Sequence, residues 1–115
     1  MEKNVRVSLL LQTYGKLLTE KQETVLDDYY NNDLSLSEIA ENNNITRQAV
    51  RDNIKKGEQK LFELEEKLGV MEKTIIQEQK ISEIIAKITK IKAKSSDRKV
   101  QHILEEVRAE LNCLV

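Results

Sequence analysis

The sequence predicts an all-α protein of about six helices, and three observations predict it. Pro is absent and Gly occurs only three times in 115 residues, so long helical runs meet few breakers. Apolar residues recur at helical spacing, as in Ile81, Ile84, Ile85, Ile88 and Ile91. Two capping boxes, Thr19-Glu20-Lys21-Gln22 and Ser35-Leu36-Ser37-Glu38, mark helix starts, and no alternating strand pattern competes with them. The length suits a single all-helical domain over residues 1–115.

The first helix is expected over Lys3 to Tyr14, with Val5, Leu9, Leu10 and Leu11 as its apolar face. Gly15, free to take positive φ, is its expected terminator. The second runs from its Thr19 cap to about Tyr30, burying Val25, Leu26, Tyr29 and Tyr30, and Asn31-Asn32-Asp33 ends it. The third, capped by Ser35, reaches only to about Asn42, and Asn43-Asn44 make a turn. Thr46 caps a fourth helix that runs to Leu68, with Ile54, Gly57, Leu61, Leu64 and Leu68 on one packing stripe. Gly69 punctuates, and a fifth helix follows to about Ala93. After Lys94-Ser95-Ser96, a last helix from Asp97 to about Leu114 places Val100, Ile103, Leu104, Val107, Leu111 and Leu114 on one face. The portion from about 61 to 115 is thus read as packing or dimerisation helices.

Residues from about 19 to 60 carry the informative pattern, a helix-turn-helix. The first helix of such a motif needs a small residue where the second crosses it, and Ala40 fills that position. The turn needs a backbone able to enter the left-handed region, and Asn44 is one of the few residues besides Gly that does so readily. Ile39, Ile45 and Val50 supply the shared core, while Ser35 and Thr46 cap the two helices. Asn43 stands where an apolar residue is common, which predicts a looser turn. The exposed side of the second helix then offers Arg47, Gln48 and Arg51 to base edges in a major groove, where Arg bonds guanine and Gln bonds adenine bidentately. Lys55, Lys56 and Lys60 would meet phosphates.

Leu18-Thr19-Glu20-Lys21-Gln22 followed by LSLSEIAENNNITRQAVRDNI resembles the fourth conserved region of bacterial sigma factors, a promoter-binding module. The sigma-like stretch stops near Lys60, and nothing resembles the sigma region that binds polymerase and melts DNA. The segments YYNNDLSLSEIAE and ITRQAVRDNIKKGE, and the length, resemble the YlxM family of small bacterial helix-turn-helix proteins over nearly the whole chain. The resemblance implies a winged-helix-like DNA-binding regulator. It also implies a role in, or regulation of, the signal recognition particle pathway, because the family's genes lie beside those of the particle's GTPases. Two functions follow: a regulator that reads duplex DNA, or an accessory that binds a protein or RNA component of that particle.

A net charge of −1 excludes a general polycation, so nucleic-acid affinity must come from a local patch. Glu20, Glu23, Asp27, Asp28 and Asp52 lie near the motif and would repel phosphate. Lys87, Lys90, Lys92 and Lys94 read as a solvated helix end. His102 has no partners at metal-ligand spacing, so no metal or other cofactor is expected, and Cys113 reads as a free thiol. No phosphate-cradling loop or convincing acid pair points to an enzyme. The chain contains no signal peptide or membrane-length apolar run, and its single Cys fits a reducing cytoplasm. The apolar C-terminal helices favour a homodimer reading two half-sites.

Overall fold

The computed structural model describes residues 1–114. Six α-helices occur among them: α1 (Lys3–Tyr14), α2 (Glu20–Tyr30), α3 (Leu36–Asn43), α4 (Arg47–Leu68), α5 (Val70–Lys94) and α6 (Arg98–Asn112). They bear out the all-α expectation. No strand occurs among the described residues, so a wing, which is built from strands, is not part of this motif. The chain divides into two compact units, Met1–Met71 and Glu72–Val115.

In the first unit α4 is the central strut, against which α1, α2 and α3 all pack. Its buried stripe is Val50, Gly57, Leu61 and Glu65, with Ile54 half-buried beside them. Leu68, expected on this stripe, is 52% exposed, because a 3.6-residue helix rotates away from a strict seven-residue repeat. In α1 the core face is Val7, Leu10, Leu11 and Tyr14, at i, i+3, i+4 and i+7. Val5 is exposed and Leu9 only half-buried, so the sequence expectation placed this face partly wrong. Leu10, Leu26, Ile39 and Leu61 are fully buried, each contributing about 1.5–3 kcal/mol by removal from water.

Gly57 has a steric reason for its place. A Cβ there would lie 2.6 Å from Leu26 Cδ1, so a larger residue would force the buried Leu26 side chain to shift at the α2–α4 crossing. Gly15 does not act as the sequence suggested: its φ is −52°, and it begins a short 3-10 turn, Gly15–Leu17. An added Cβ would stand 3.0 Å from Glu23 Oε2, so proximity rather than handedness favours glycine there. The left-handed stop expected of a terminating glycine is found at Gly69 instead, with φ +63°.

The end of α4 is tied to α1 through a buried carboxylate. Tyr14 Oη donates to Glu65 Oε1 at 2.5 Å, and the backbone N–H of Met71 donates to the same oxygen at 3.0 Å. The Val70 N–H donates to Tyr14 Oη at 3.1 Å. Near the middle of α4, Tyr30 Oη donates to Glu58, whose other oxygen pairs with Lys3 at 3.3 Å. Burial first, and then the adjacent carboxylate, push both phenols above their ordinary range. Tyr29, expected in the core, is 40% exposed and meets Tyr30 edge to face.

In the second unit Ile81 and Ile88 of α5 are buried, whereas α6 has no buried residue. The expected apolar face of α6 is therefore only partly covered. Leu104 and Leu111 are half-buried, and Val100, Ile103, Val107 and Leu114 are exposed. Lys92 is not simply solvated as expected. It reaches Glu105 at 2.5 Å and holds that carboxyl below its ordinary range.

Candidate nucleic-acid interface

The turn between α3 and α4 is built by hydrogen bonds that its residue types dictate. Ser35 Oγ accepts from the Glu38 N–H while Glu38 Oε1 accepts from the Ser35 N–H, at 3.1 Å each, so α3 starts with two otherwise orphaned donors satisfied. At its other end Asn44 has φ +53° and ψ +44°. Its N–H donates to Glu41 O at 3.3 Å, and the next N–H, of Ile45, donates back to Ala40 O at 3.0 Å. This pair of bonds is the Schellman arrangement, which closes a helix tightly. The looser turn expected from Asn43 does not occur: Asn43 is the last residue of α3, and its amide donates to Ile39 O at 2.8 Å. Thr46 Oγ1 then accepts from the Ala49 N–H at 3.0 Å and α4 begins.

Beneath the turn Val25, Ile39, Ala40 and Val50 form one buried cluster, with Leu34, Leu36, Ile45 and Ile54 packed against it. Ala40 is small where the helices approach, and Ile45 places its side chain straight after the left-handed residue. A three-helix core thus fixes α4 relative to α2 and α3.

The outer side of α4 carries the candidate contacts. Arg47, Arg51 and Lys55 are exposed and four residues apart, so they form a cationic row along one flank. Lys56 points about 100° away from Lys55. With Gln59, Lys60 and Glu63, it lines a shallow groove completed by Leu17, Thr19 and Gln22. Lys55 and Lys56, paired by proximity in sequence, therefore belong to different flanks. Among the described residues the ion pairs fall on Lys3, Lys16, Lys80, Lys92 and His102, leaving Arg47, Arg51, Lys55 and Lys56 in the first three turns of α4 without a carboxylate partner.

Gln48 is also exposed, but its amide donates to Asp52 Oδ1 at 3.2 Å. It must release Asp52 before it could bond a base. Three of the other acidic neighbours are engaged locally: Glu23 pairs with Lys16 at 3.0 Å, and Asp27 and Asp28 accept from Asn31 and Asn32. Glu23 and Asp27 line a separate groove between α1 and α2. Sequence reasoning passed over Lys21, whose Nζ approaches Asn43 O at 3.5 Å and adds a cation beside the turn. Only the packing of α2 on α3 brings it there, and no local pattern announces that.

A capped short helix, a left-handed turn and a capped long helix over a shared core define a helix-turn-helix protein. The chain belongs to the UPF0122 family, whose model, described as "Putative helix-turn-helix protein, YlxM / p13 like", matches residues 1–107. Similar chains include a UPF0122 protein of Acetivibrio thermocellus, 44% identical over all of this chain and 98% of its own. Another, of Listeria welshimeri, is 42% identical over 93% of this chain and 96% of its own. One of Clostridium kluyveri reaches 57% over 63% of this chain and 65% of its own. No helix of the described residues is long and apolar enough to cross a membrane.

Proposed function

We propose that this protein is a DNA-binding regulator that sets the N-terminal end of α4 in the major groove of duplex DNA. The observation that carries the reading is the row Arg47, Arg51 and Lys55, exposed, unpaired and held on a helix whose start is fixed by Asn44 and Thr46. In this reading Arg47 and Arg51 bond base edges, and Gln48 does so after leaving Asp52. Lys55 and Lys56 meet phosphates on the two sides of the helix. The reading unit is a homodimer, so that two α4 helices meet two half-sites. Membership of the family supports a cytoplasmic regulator connected with the signal recognition particle pathway.

A binding selection on random duplex DNA, run beside the Arg47→Ala/Arg51→Ala double variant, tests the assignment. An enriched site that the double variant loses is the expected result. No enrichment by the folded wild-type protein overturns it.

The second reading is an accessory protein of the signal recognition particle pathway that does not bind DNA. The groove between α1 and α2 favours it, since Asp27, which has no cation beside it there, could meet a basic group of a partner protein. Recovery of a particle component from extract, lost on Asp27→Lys, would support this reading; recovery of none at low salt would count against it.

A further inference from the structure

We infer that Asp52 is a specificity-determining residue of the α4 surface, whose carboxylate selects a cytosine in the major groove. The inference rests on the DNA reading above and names a base-reading group that the reading leaves out. Asp52 is the one acidic side chain within Arg47–Gly57, among the cations Arg47, Arg51, Lys55 and Lys56. It is exposed and stands two residues after the buried Val50 and two before Ile54, about 200° round the helix from each. Gln48, two residues before Val50, stands on the same line. Both side chains therefore point away from the core, whereas Arg47 and Arg51 lie to one flank. An acid on a flank would face phosphates; an acid on this line faces base edges when α4 enters a groove.

The surroundings of the carboxylate sharpen its role. Lys55 and Lys56 stand three and four residues on, the spacings at which a helix pairs opposite charges. Among the described residues no ion pair falls on Asp52; the Gln48 amide donates to it at 3.2 Å. Nor does the helix dipole account for an acid here, because Asp52 lies in the second turn of α4, past the reach of that field. When Gln48 turns to a base, Asp52 keeps acceptor oxygens only, and a closed groove strands them unless a base donates. Guanine offers N7 and O6 in the major groove and thymine offers O4, all acceptors that repel a carboxylate. Adenine sets its N6 amino group beside the N7 acceptor. Cytosine alone offers an amino group, at N4, with no acceptor next to it. The carboxylate is thus best satisfied at cytosine and rejects guanine and thymine by charge.

Binding selections on random duplex DNA with the wild type, Asp52→Ala and Asp52→Asn test this. Arg47→Ala/Arg51→Ala runs beside them, and far-UV circular dichroism follows folding. The wild type is expected to enrich a site with a cytosine at one position that Asp52→Ala no longer distinguishes, discrimination there falling about tenfold. The rest of the site is expected to persist. Asp52→Asn keeps an acceptor and gains amide donors, so it is expected to move that position from cytosine to adenine. Asp52→Ala that binds every sequence more tightly with unchanged preferences overturns the proposal, because an acid that merely repels phosphate behaves so. Asp52→Asn that keeps the cytosine overturns it too. A site lost in Arg47→Ala/Arg51→Ala but unchanged in both Asp52 variants removes this inference and leaves the DNA reading standing. No enrichment by the folded wild type removes both.

Discussion

Tyr14 and Glu65, fifty-one residues apart in sequence, share a hydrogen bond of 2.5 Å in the interior of the first unit. The Glu65 carboxylate also takes the Met71 N–H, and the phenol oxygen takes the Val70 N–H, so four polar groups satisfy one another at the end of α4. Removing one of them exposes the rest to an apolar surrounding. Glu65→Ala is expected to destabilise the protein by about 2–3 kcal/mol, because it strands the phenol and the Met71 N–H. Glu65→Gln keeps an acceptor oxygen and is expected to cost less than Ala. Urea unfolding of the two variants checks the order.

The same phenols predict an alkaline limit. Burial, then Glu65 and Glu58, raise Tyr14 and Tyr30 above the ordinary tyrosine value. A raised folded value means that the folded chain holds its phenol protons where the unfolded chain has lost them. The stabilisation is complete below the unfolded value of about 10 and falls away as pH rises through the folded values. Stability measured against pH is expected to drop from about pH 10 upward, and less steeply in Tyr14→Phe/Tyr30→Phe.

Asn44 has φ +53° and its neighbours close the turn around it. Asn44→Val is expected to lose about 1–2 kcal/mol, because a branched Cβ collides with the following carbonyl in this region. Asn44→Gly is expected to be close to neutral or stabilising. Thermal or urea unfolding distinguishes them, and equal losses in both would mean that handedness is not what the turn demands.

Lys55 and Lys56 are assigned to phosphates on different flanks of α4. If so, Lys55→Ala and Lys56→Ala each reduce the slope of log affinity against log salt by about 1 and leave the preferred DNA sequence unchanged. A variant that changes the preferred sequence would have been misassigned, and its residue would belong with Arg47 and Arg51.

Much of this architecture is legible along the chain because it depends on near neighbours. The capping boxes at Thr19 and Ser35, the left-handed Asn44, the Thr46 cap and the Gly69 stop are decided within four or five residues, where side-chain hydrogen bonding and φ preference act. Errors begin where a choice depends on a distant partner. Val5 and Val7 both fit a helix, but only the packing of α1 on α4 buries Val7 and exposes Val5. Tyr29 and Tyr30 are adjacent and alike, and the position of Glu58 selects Tyr30 for the interior.

The chain by itself determined that this protein is helical, where each helix starts and stops, and that a helix-turn-helix occupies its middle, since these follow from spacing and local backbone chemistry. Tertiary structure alone decided which face of each helix is buried. It seated Glu65 against Tyr14, brought Leu26 against position 57, and set Lys56 in a groove beside Leu17, Thr19 and Gln22. The physical reason is range: hydrogen bonds and φ preferences act within a turn, whereas burial and steric approach depend on residues that only folding brings together.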